Sequence, residues 1–458
     1  MKSAIAIVTS LVSGPRVKSL LAAGLLSAGV ITSTAQISLL VSFTEETKIK
    51  GRMTPLDGAL YAVADKGGAA NYGYIGRFDP AHGTWSALYE FSRETKVKGG
   101  LMRVGDALWF VCEKGGAANV GFLGSYNPAA NSLTVLTEFP QDLKPKTAPV
   151  RLDDRGWYFF TDRGGTAGLG ALVRFETNGT LTVAASFDVN TGVKFETPPV
   201  VWQGQVWYAA REGGDLTQVS GKGAGAVGTV DLDAGTVVRQ LALVAAVHGA
   251  KIRALVPFQG RLYYAAEEGG DPGLNNGKGY GGVGWFDPNS GEARLILVCD
   301  GPGTGAKPRD LVVVGDALYF VCAEGGSAGG GTLGRIRNGT VEIVASLDAD
   351  SGARAEALTP WEGRLYLTTE LGGANWFGGI AAHALSVPGD VLPVSLIWQR
   401  SAQLLELRWS VQQPWILESA PDPDGPWSPV NVTEPESGRV LFPMSEAARY
   451  FRLRYRGP

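Results

Sequence analysis

A Gly-Gly pair that recurs seven times constrains this chain of 458 residues more than any other feature. The pairs are 47 to 56 residues apart, at Gly67-Gly68, Gly115-Gly116, Gly164-Gly165, Gly213-Gly214, Gly269-Gly270, Gly325-Gly326 and Gly372-Gly373. A period near fifty residues indicates one supersecondary unit that is stacked on copies of itself. The sequence therefore predicts a repeat protein.

One repeat contains four short runs of apolar, β-branched or aromatic residues. In the second repeat these runs are 99–104, 107–113, 121–126 and 133–139, and turn residues separate them. Such runs are typical of an antiparallel meander. Both alternating sets of the second run are largely apolar, so we expect its sheet to be covered on both faces. Seven radially arranged sheets provide that cover, which predicts an all-β, seven-bladed β-propeller.

The two ends of the repeat array complement each other. The seventh repeat stops near residue 386 and lacks a fourth strand, whereas an unassigned strand-like run, 37–44, precedes the first repeat. We expect 37–44 to complete the seventh sheet and to close the ring, which removes open sheet edges.

Segments outside the repeats predict an exported protein with a second domain. Residues 1–35 combine basic residues, an apolar run and a small-residue cleavage site, as in a signal peptide, so the protein is expected to be secreted or at the cell surface. The propeller is assigned to 37–387, and 395–456 is predicted to be a small β-sandwich-like C-terminal domain. Its predicted strands are 403–409, 415–419, 427–432, 439–443 and 450–455.

The repeats resemble a known type. Leu60-Tyr61, Gly67-Gly68 and Gly76 with Phe78 are similar to the GloVer-type tandem repeat, and Gly228-Thr229-Val230 retains part of its G-T-V-F element. The resemblance covers 37–387 and implies an exported bacterial protein, with no catalytic residues carried over. The kelch repeat is a weaker match, because Asp65-Lys66 separates the apolar strand from the Gly-Gly pair.

The C-terminal region resembles a short β-domain that is common in exported proteins of Verrucomicrobia-like bacteria. The matching pieces are 416–419, 425–427 and 450–453. The resemblance leaves open whether this domain anchors the protein or binds a ligand.

Two sets of charged residues are expected at one mouth of the ring. The loops between repeats carry Lys48, Lys96, Lys144, Lys194, Lys251, Lys307 and Arg354. The positions two residues before the Gly-Gly pairs hold Asp65, Glu113, Asp162, Arg211, Glu267, Ala323 and Glu370. We expect salt bridges such as Lys96 to Glu113 and Lys48 to Asp65. They either fix loop geometry or form a polar funnel for a carboxylated or hydroxylated ligand.

The fourth and fifth repeats depart from the others. Their Gly-Gly loops, 215–228 and 271–284, are longer, and each contains Gly-Lys-Gly. Backbone N–H groups and an ammonium there could bind an anion, although a duplicated solvated loop explains them too. The predicted ligand-binding residues are Arg211, Glu212, Lys222, Glu267, Glu268 and Lys278.

A weak calcium pattern occurs twice. Acidic or amide side chains at matching spacing could ligate calcium, although plain Asp/Asn-Gly turns explain the same pattern. The candidates are Asp188, Asn190, Glu196, Asp348, Asp350 and Glu356. No other cofactor is expected.

Several functions are disfavoured by composition. With 41 basic and 44 acidic residues the chain lacks the positive charge of a nucleic-acid-binding protein. Its three histidines lie in different repeats, and no zinc spacing or nucleophile elbow occurs. Three cysteines, Cys112, Cys299 and Cys322, are interpreted as buried apolar residues. No catalytic residue is assigned, although Glu212, Glu267 and Glu268 would be the first candidates for glycoside cleavage.

Together these features predict an exported, non-enzymatic binding propeller. Its ligand at the charged mouth would be a glycan, a peptide or a surface partner, and the protein is expected to be a monomer without a membrane span. A carbohydrate-active hydrolase or lyase and a structural surface scaffold remain the alternatives.

Overall fold

Seven four-stranded antiparallel sheets, here called blades 1 to 7, follow one another along the chain. The computed structural model describes residues 37–140, 143–176, 178–385, 397–400, 404–408, 415–420, 428–430, 439–443 and 450–455. The first strand of blade 7 contacts the first strand of blade 1, so the sheets form a closed ring. The predicted all-β, seven-bladed β-propeller is confirmed.

The strand bounds show how regular the repeat is. Blades 1 and 2 consist of Ile49–Leu56 (β2), Ala59–Ala64 (β3), Tyr74–Asp79 (β4), Thr84–Glu90 (β5), Val97–Val104 (β6), Ala107–Cys112 (β7), Phe122–Asn127 (β8) and Ser132–Glu138 (β9). Blades 3 and 4 consist of Val150–Asp153 (β10), Gly156–Thr161 (β11), Ala171–Glu176 (β12), Leu181–Ser186 (β13), Val200–Trp202 (β14), Gln205–Ala210 (β15), Ala226–Asp231 (β16) and Thr236–Ala242 (β17). A short helix, Ala245–His248 (α1), follows blade 4.

The remaining blades have the same order. Blades 5 and 6 consist of Ala250–Phe258 (β18), Arg261–Glu268 (β19), Gly282–Phe286 (β20), Ala293–Val298 (β21), Ala306–Val314 (β22), Ala317–Glu324 (β23), Thr332–Arg337 (β24) and Thr340–Ser346 (β25). Blade 7 consists of Ala353–Trp361 (β26), Arg364–Leu371 (β27), Gly379–Ala384 (β28) and, as its outer strand, Ile37–Ser42 (β1).

The N-terminal strand closes the ring as expected. β1 pairs antiparallel with β28, in a register that places Ile37 opposite His383 and Ser42 opposite Gly379. The Phe43 N–H extends the pairing by donating to the Gly378 carbonyl at 2.9 Å. Blade 7 therefore draws its strands from both ends of the propeller.

The hydrophobic core lies between neighbouring blades. Phe91 of blade 1 and Phe110 of blade 2 are buried with ring centroids 5.9 Å apart, and Phe160 and Phe195 stack at 4.1 Å between blades 3 and 4. Each sheet therefore buries both faces only because it has a neighbour on each side.

The glycine of the third strand has a steric cause. A Cβ at Gly124 would lie 2.8 Å from Cζ of Phe110, and a Cβ at Gly334 would lie 2.0 Å from Cζ of Phe320. An aromatic ring from the second strand covers the backbone at these positions, so only glycine fits. This contact explains the glycine of the G-T-V-F element.

The Gly-Gly loops lie on the same face of each blade as the loops that enter the first strand. In blade 1 the Asp65 N–H donates to the Lys48 carbonyl at 3.0 Å, and in blade 2 the Glu113 N–H donates to Lys96 at 2.7 Å. Both glycines of each pair have positive φ, as Gly67 at 95° and Gly68 at 78° show. We call this side of the ring the mouth face.

The C-terminal residues form two further antiparallel sheets in a separate compact unit. One contains Ile397–Arg400 (β29), Leu404–Arg408 (β30) and Arg439–Pro443 (β33), and the other contains Trp415–Ala420 (β31), Ser428–Pro429 (β32) and Tyr450–Tyr455 (β34). The propeller belongs to a unit that spans 34–391. The predicted signal peptide lies outside the described residues, and the sandwich-like packing of the C-terminal domain remains a prediction.

Candidate binding site at the channel mouth

A cavity of about 620 Å³ lies where the first strands of the seven blades converge. Every blade contributes one charged side chain to it from the same repeat position: Lys50, Lys98, Lys146, Glu196, Arg253, Arg309 and Glu356. This position comes two residues after the basic ring that the sequence predicts. The cavity is the mouth of the central channel.

In blades 1 and 2 the predicted salt bridges are wrong by those two residues, whereas in blade 7 Arg354 does reach Glu370 at 4.0 Å. Lys96 pairs with Glu94 at 3.5 Å, whereas Glu113 has Lys146 as a partner at 2.5 Å and Lys98 at 3.8 Å. Blade 1 repeats this arrangement with Lys48 on Glu46 at 3.1 Å and Lys50 on Asp65 at 3.6 Å. The loops do meet, but through their backbones. The carboxylate then faces the channel, where the next lysine of the strand reaches it.

Blades 4 to 7 neutralise their charges in a closed cycle of three arginines and three glutamates. The distances around it are 3.1 Å for Glu196–Arg211, 2.8 Å for Arg211–Glu267, 3.5 Å for Glu267–Arg309, 3.7 Å for Arg309–Glu356 and 3.4 Å for Glu356–Arg253, and Arg253 contacts Glu196 to close the cycle. Opposite charges alternate without interruption. The cycle therefore stabilises the ring and leaves little net charge for a ligand.

Blades 1 to 3 present a different surface, the lysine sector, formed by Lys50, Lys98 and Lys146. Their side chains are 28%, 26% and 22% exposed. The nearest carboxylates of Lys50 and Lys98 lie at 3.6 and 3.8 Å, beyond hydrogen-bond length. Within the described residues neither ammonium donates a hydrogen bond, so their N–H groups face the cavity with donor capacity in reserve.

Burial and neighbouring charges act against the protonated form of Lys98 in the lysine sector. Burial is the main cause that lowers the pKa of Lys98. Glu113 opposes this shift, whereas the positive charges of Lys146 and Lys50 add to it. Three lysines therefore share one wall of a half-closed cavity, and each has a carboxylate within 4 Å: Lys146 contacts Glu113 at 2.5 Å and Asp162 at 3.3 Å, whereas Lys50 and Lys98 make only the longer contacts. An anion placed beside Lys50 and Lys98 would be stabilised.

The cavity carboxylates are all in contact with cations. Burial raises the pKa of Glu356, although Arg309 and Arg253 flank it. Asp310 accepts hydrogen bonds from Arg52 at 2.7 and 2.9 Å. No pair of free carboxylates, as glycoside cleavage would require, lines the cavity among the described residues.

The six predicted ligand residues do not form one cluster. Arg211 and Glu267 come together in the cycle, while Glu268 pairs with Lys251 at 2.7 Å. Through its backbone N–H, Glu212 bonds to the Val193 carbonyl. A binding role for these residues remains a prediction.

Lys222 and Lys278 occupy equivalent places in the two long loops. Both side chains are exposed and have no ion pair within the described part of the chain. The expectation that Gly-Lys-Gly offers backbone N–H groups to an anion is wrong, because the N–H groups of Gly221, Lys222 and Gly223 donate inside their own loop. The motif has a structural cause instead. The Lys222 carbonyl accepts from Gly213, and a Cβ at Gly223 would lie 2.0 Å from the Gly213 oxygen.

The calcium candidates also separate. One carboxylate oxygen of Asp188 accepts from the N–H groups of Asn190 and Thr191, and Asp348 does the same for Asp350 and Ser351. Glu196 and Glu356 belong to the cycle. Among the described residues no cluster of three metal-ligating His, Cys, Asp or Glu side chains occurs. Calcium binding remains a prediction without a geometric counterpart.

The lysine sector is what sequence reasoning missed. Lys50, Lys98 and Lys146 do stand at one repeat position, but that position is mixed in sign around the ring. The set of residues two positions earlier is uniformly basic, so the sequence pattern predicts the ion pairs from that set instead. Grouping the repeats by charge at each position would have separated blades 1 to 3 from the rest.

Known proteins support the fold. Residues 30–220 match a family model described as the Gloeobacter/Verrucomicrobia repeat. A search of curated proteins finds no match. A puromycin-hydrolyzing peptidase from Mycobacterium tuberculosis is similar at 12% identity and a TM-score of 0.51, over 84% of this chain and 60% of that one.

Two further solved structures are similar at lower scores. An oligogalacturonate lyase in complex with manganese has 12% identity and a TM-score of 0.49, over 78% of this chain and 94% of that one. YCF48 from Cyanidioschyzon merolae has 13% identity and a TM-score of 0.47, over 75% and 97%. At these identities the similarity concerns the fold alone. Within the described residues no helix is long and apolar enough to span a membrane.

Proposed function

We propose that this closed propeller, which matches the Gloeobacter/Verrucomicrobia repeat over residues 30–220, is a non-enzymatic binding protein for a carboxylated glycan. The lysine sector at the channel mouth is the observation that carries this proposal. Lys50, Lys98 and Lys146 line the mouth side by side, and an anion would supply acceptors to Lys50 and Lys98 and offset the repulsion that Lys98 experiences from its two neighbours.

Electrostatics favour an anionic ligand at this wall. Each ammonium has three donors, and carboxylate oxygens are strong acceptors for charged donors. Low-dielectric walls focus the field of charges inside a cleft, which raises the rate of encounter with an oppositely charged ligand. The neutral cycle of blades 4 to 7 does not oppose its approach.

Exposed aromatic side chains favour a glycan. Tyr72 of blade 1 and Trp376 with Phe377 of blade 7 lie in Gly-Gly loops on the mouth face and are 39%, 62% and 38% exposed. Flat aromatic faces give an apolar contact for a sugar ring while remaining partly hydrated. Blades 7 and 1 are neighbours, and blade 1 also carries Lys50.

The cavity carboxylates are each paired with an arginine, which argues against the hydrolase or lyase alternative. A general acid and a second carboxylate would have to act on the same bond. Glu196, Glu356 and Asp310 are each held by arginine instead. A scaffold function would not require lysines such as Lys50 and Lys98 that face a cavity without donating a hydrogen bond to their carboxylate partners.

A direct test measures the binding of a linear uronic acid polymer by calorimetry, with the neutral polymer of the same backbone for comparison. The Lys50→Gln, Lys98→Gln, Lys146→Gln triple variant should bind the uronate at least about tenfold more weakly, or ~1.4 kcal/mol. The matched control is Lys222→Gln, Lys278→Gln, which removes exposed lysines from the same face and should bind as the parent does. Affinity should also fall as salt rises.

Three outcomes would contradict the proposal. One is equal binding of the neutral polymer, and another is unchanged affinity in the folded triple variant. The third is a loss confined to the Lys222, Lys278 control, which would place the site on the long loops.

We also infer that residues 1–35 direct export, so the ligand would lie outside the cell. Sequencing the N-terminus of protein recovered from the medium or periplasm should give a chain that begins at Gln36. Retention of residues 1–35 in the cytoplasmic fraction would contradict this.

A further inference from the structure

Two buried cysteines from neighbouring blades meet at the junction of blades 5 and 6. The Sγ atoms of Cys299 and Cys322 are 4.0 Å apart, and both residues are completely buried. Cys299 follows the outer strand β21 of blade 5, and Cys322 lies in the second strand β23 of blade 6. The repeat pattern does not predict this contact, because the two residues occupy different positions of the repeat.

The position of Cys299 is otherwise reserved for a large apolar residue. Its N–H donates to the carbonyl of the glycine before the third strand, and the same bond recurs in the other six blades. The residues at that position are Phe43, Phe91, Phe139, Phe187, Leu243 and Leu347. Cysteine is a poor substitute for filling such a space. It occurs only where the next blade offers a second cysteine.

Blade 2 provides an internal comparison. Cys112 occupies the position that Cys322 occupies in blade 6, and Phe91 fills the junction beside it. The Cys112 thiol donates to the Phe122 carbonyl at 3.4 Å and has no sulfur neighbour among the described residues. A cysteine in the second strand therefore does not require a cysteine partner, and the pairing at the junction of blades 5 and 6 is a separate feature.

We propose that Cys299 and Cys322 form a disulfide that links blade 5 to blade 6 when the protein folds in an oxidising compartment. The sulfurs must approach from 4.0 Å to about 2.05 Å. Both backbones are fixed by hydrogen bonds, so the side chains make this movement. The link would add a covalent bond to an interface that packing, the Glu267–Arg309 ion pair and the hydrogen bond from the Lys307 N–H to the Tyr280 carbonyl hold together.

The chemistry balances with a disulfide oxidant. One cysteine thiolate attacks the oxidant's disulfide, forms a mixed disulfide and releases one oxidant thiolate. The second cysteine thiolate attacks the protein sulfur, forms the Cys299–Cys322 bond and releases the other oxidant thiolate. The protein loses two protons and two electrons, and the oxidant is reduced to two thiols. Contact with Cys322 and burial raise the pKa of the Cys299 thiol, so the step takes place before the blades close.

The test refolds the denatured full chain in oxidised and reduced glutathione and then counts free thiols with a maleimide under denaturing conditions. Oxidised refolding should leave one labelled cysteine, Cys112, and a peptide map should join Cys299 to Cys322. Reduced refolding should leave three labelled cysteines. The Cys112→Ala variant should still form the link, whereas Cys322→Ala should not.

Stability supplies a second readout. The oxidised parent should melt several degrees above the reduced parent, and the Cys299→Ala, Cys322→Ala variant should lose this dependence on redox state. Three labelled thiols after oxidised refolding would overturn the proposal, as would a link that involves Cys112. Both of these results are measured on the parent chain, so neither depends on whether a variant folds.

Discussion

The contact between Arg52 and Asp310 joins three blades, so removing either side chain should lower the free energy of unfolding by a measurable amount. Arg52 of blade 1 donates to both carboxylate oxygens of Asp310 of blade 6, at 2.9 and 2.7 Å. Asp310 also accepts from the Leu358 N–H of blade 7 at 2.9 Å and from the Leu311 N–H at 2.9 Å. Asp310 is only 8% exposed, whereas the Arg52 side chain is 43% exposed.

The two truncations should therefore differ in size. Asp310→Ala leaves two buried backbone N–H groups without their acceptor and Arg52 with only the Leu311 carbonyl, which should lower the free energy of unfolding by about 3–5 kcal/mol. Arg52→Ala leaves Asp310 with its two backbone donors and removes a partly solvated cation, so we expect about 1.5–3 kcal/mol. The double variant should show a coupling energy of about 1–3 kcal/mol.

Urea unfolding followed by tryptophan fluorescence measures these values. Arg155→Ala is a matched control, because Arg155 is 41% exposed and also bonds two carboxylates, of which Asp233 is 89% exposed. Its loss should cost less than about 1 kcal/mol. An Arg52→Ala cost equal to that of Asp310→Ala, or a coupling energy near zero, would refute the view that the buried carboxylate organises the contact.

Three further predictions concern closure, strain and acid. Deleting 37–42 should lower the melting temperature and promote aggregation measured by light scattering, because β28 becomes an open edge; an unchanged melt would contradict closure by β1. Trp376 has a positive φ of 60°, at the repeat position that Asn71 and Asn119 occupy in blades 1 and 2. Tryptophan is strained in this backbone conformation, so Trp376→Asn should leave the melting temperature equal or higher while weakening uronate binding. A clear loss of stability would refute the view that Trp376 is strained. Backbone N–H groups, from Thr191 first for Asp188 and from Ser351 first for Asp348, lower the pKa of both carboxyls below 3.8. Their stabilisation is present above that value and is lost as pH falls through the folded pKa, so Asp188→Asn, Asp348→Asn should lose less stability than the parent between about pH 5 and 3; equal acid sensitivity would argue against it.

The fold could be predicted because glycine spacing and strand patterning record the repeat directly. Gly67 and Gly68 need positive φ, and Gly124 faces an aromatic ring, so these residues cannot drift without disturbing the blade. Closure of the ring could be predicted because the seventh repeat lacks a fourth strand and an extra strand precedes the first repeat. Local backbone requirements of this kind are visible in a single sequence.

The ion pairs could be predicted only in part. Backbone pairing fixes Lys48 opposite Asp65, and spacing indicates that much. Which side chain then reaches the carboxylate depends on competition from Glu46, two residues away, and on which lysine lies deeper in the channel. Such competition is decided by three-dimensional position, so a choice among neighbouring lysines based on spacing alone was wrong.

Contacts between different repeat positions were beyond the reach of the pattern. Cys112 and Cys322 share a position and lie in distant blades, which correctly suggested that they cannot bridge. The contact of Cys322 with Cys299 crosses from one blade to the next and from one repeat position to another. Finding it requires knowing that the residue after each outer strand packs on the second strand of the following blade.

The departure from sevenfold regularity is where function should be sought. A ring in which every blade carried a lysine at the cavity position would concentrate seven like charges and destabilise itself. Placing glutamates in blades 4 and 7 lets the arginines of blades 5 and 6 pair within one cycle. Lys50 and Lys98 instead have their nearest carboxylates at 3.6 and 3.8 Å. Ion pairs therefore stabilise one side of the channel, whereas on the other side the ammonium groups of Lys50 and Lys98 retain N–H donors that no carboxylate of the described residues accepts from. A ligand that supplies the missing acceptors would complete the second half of the ring.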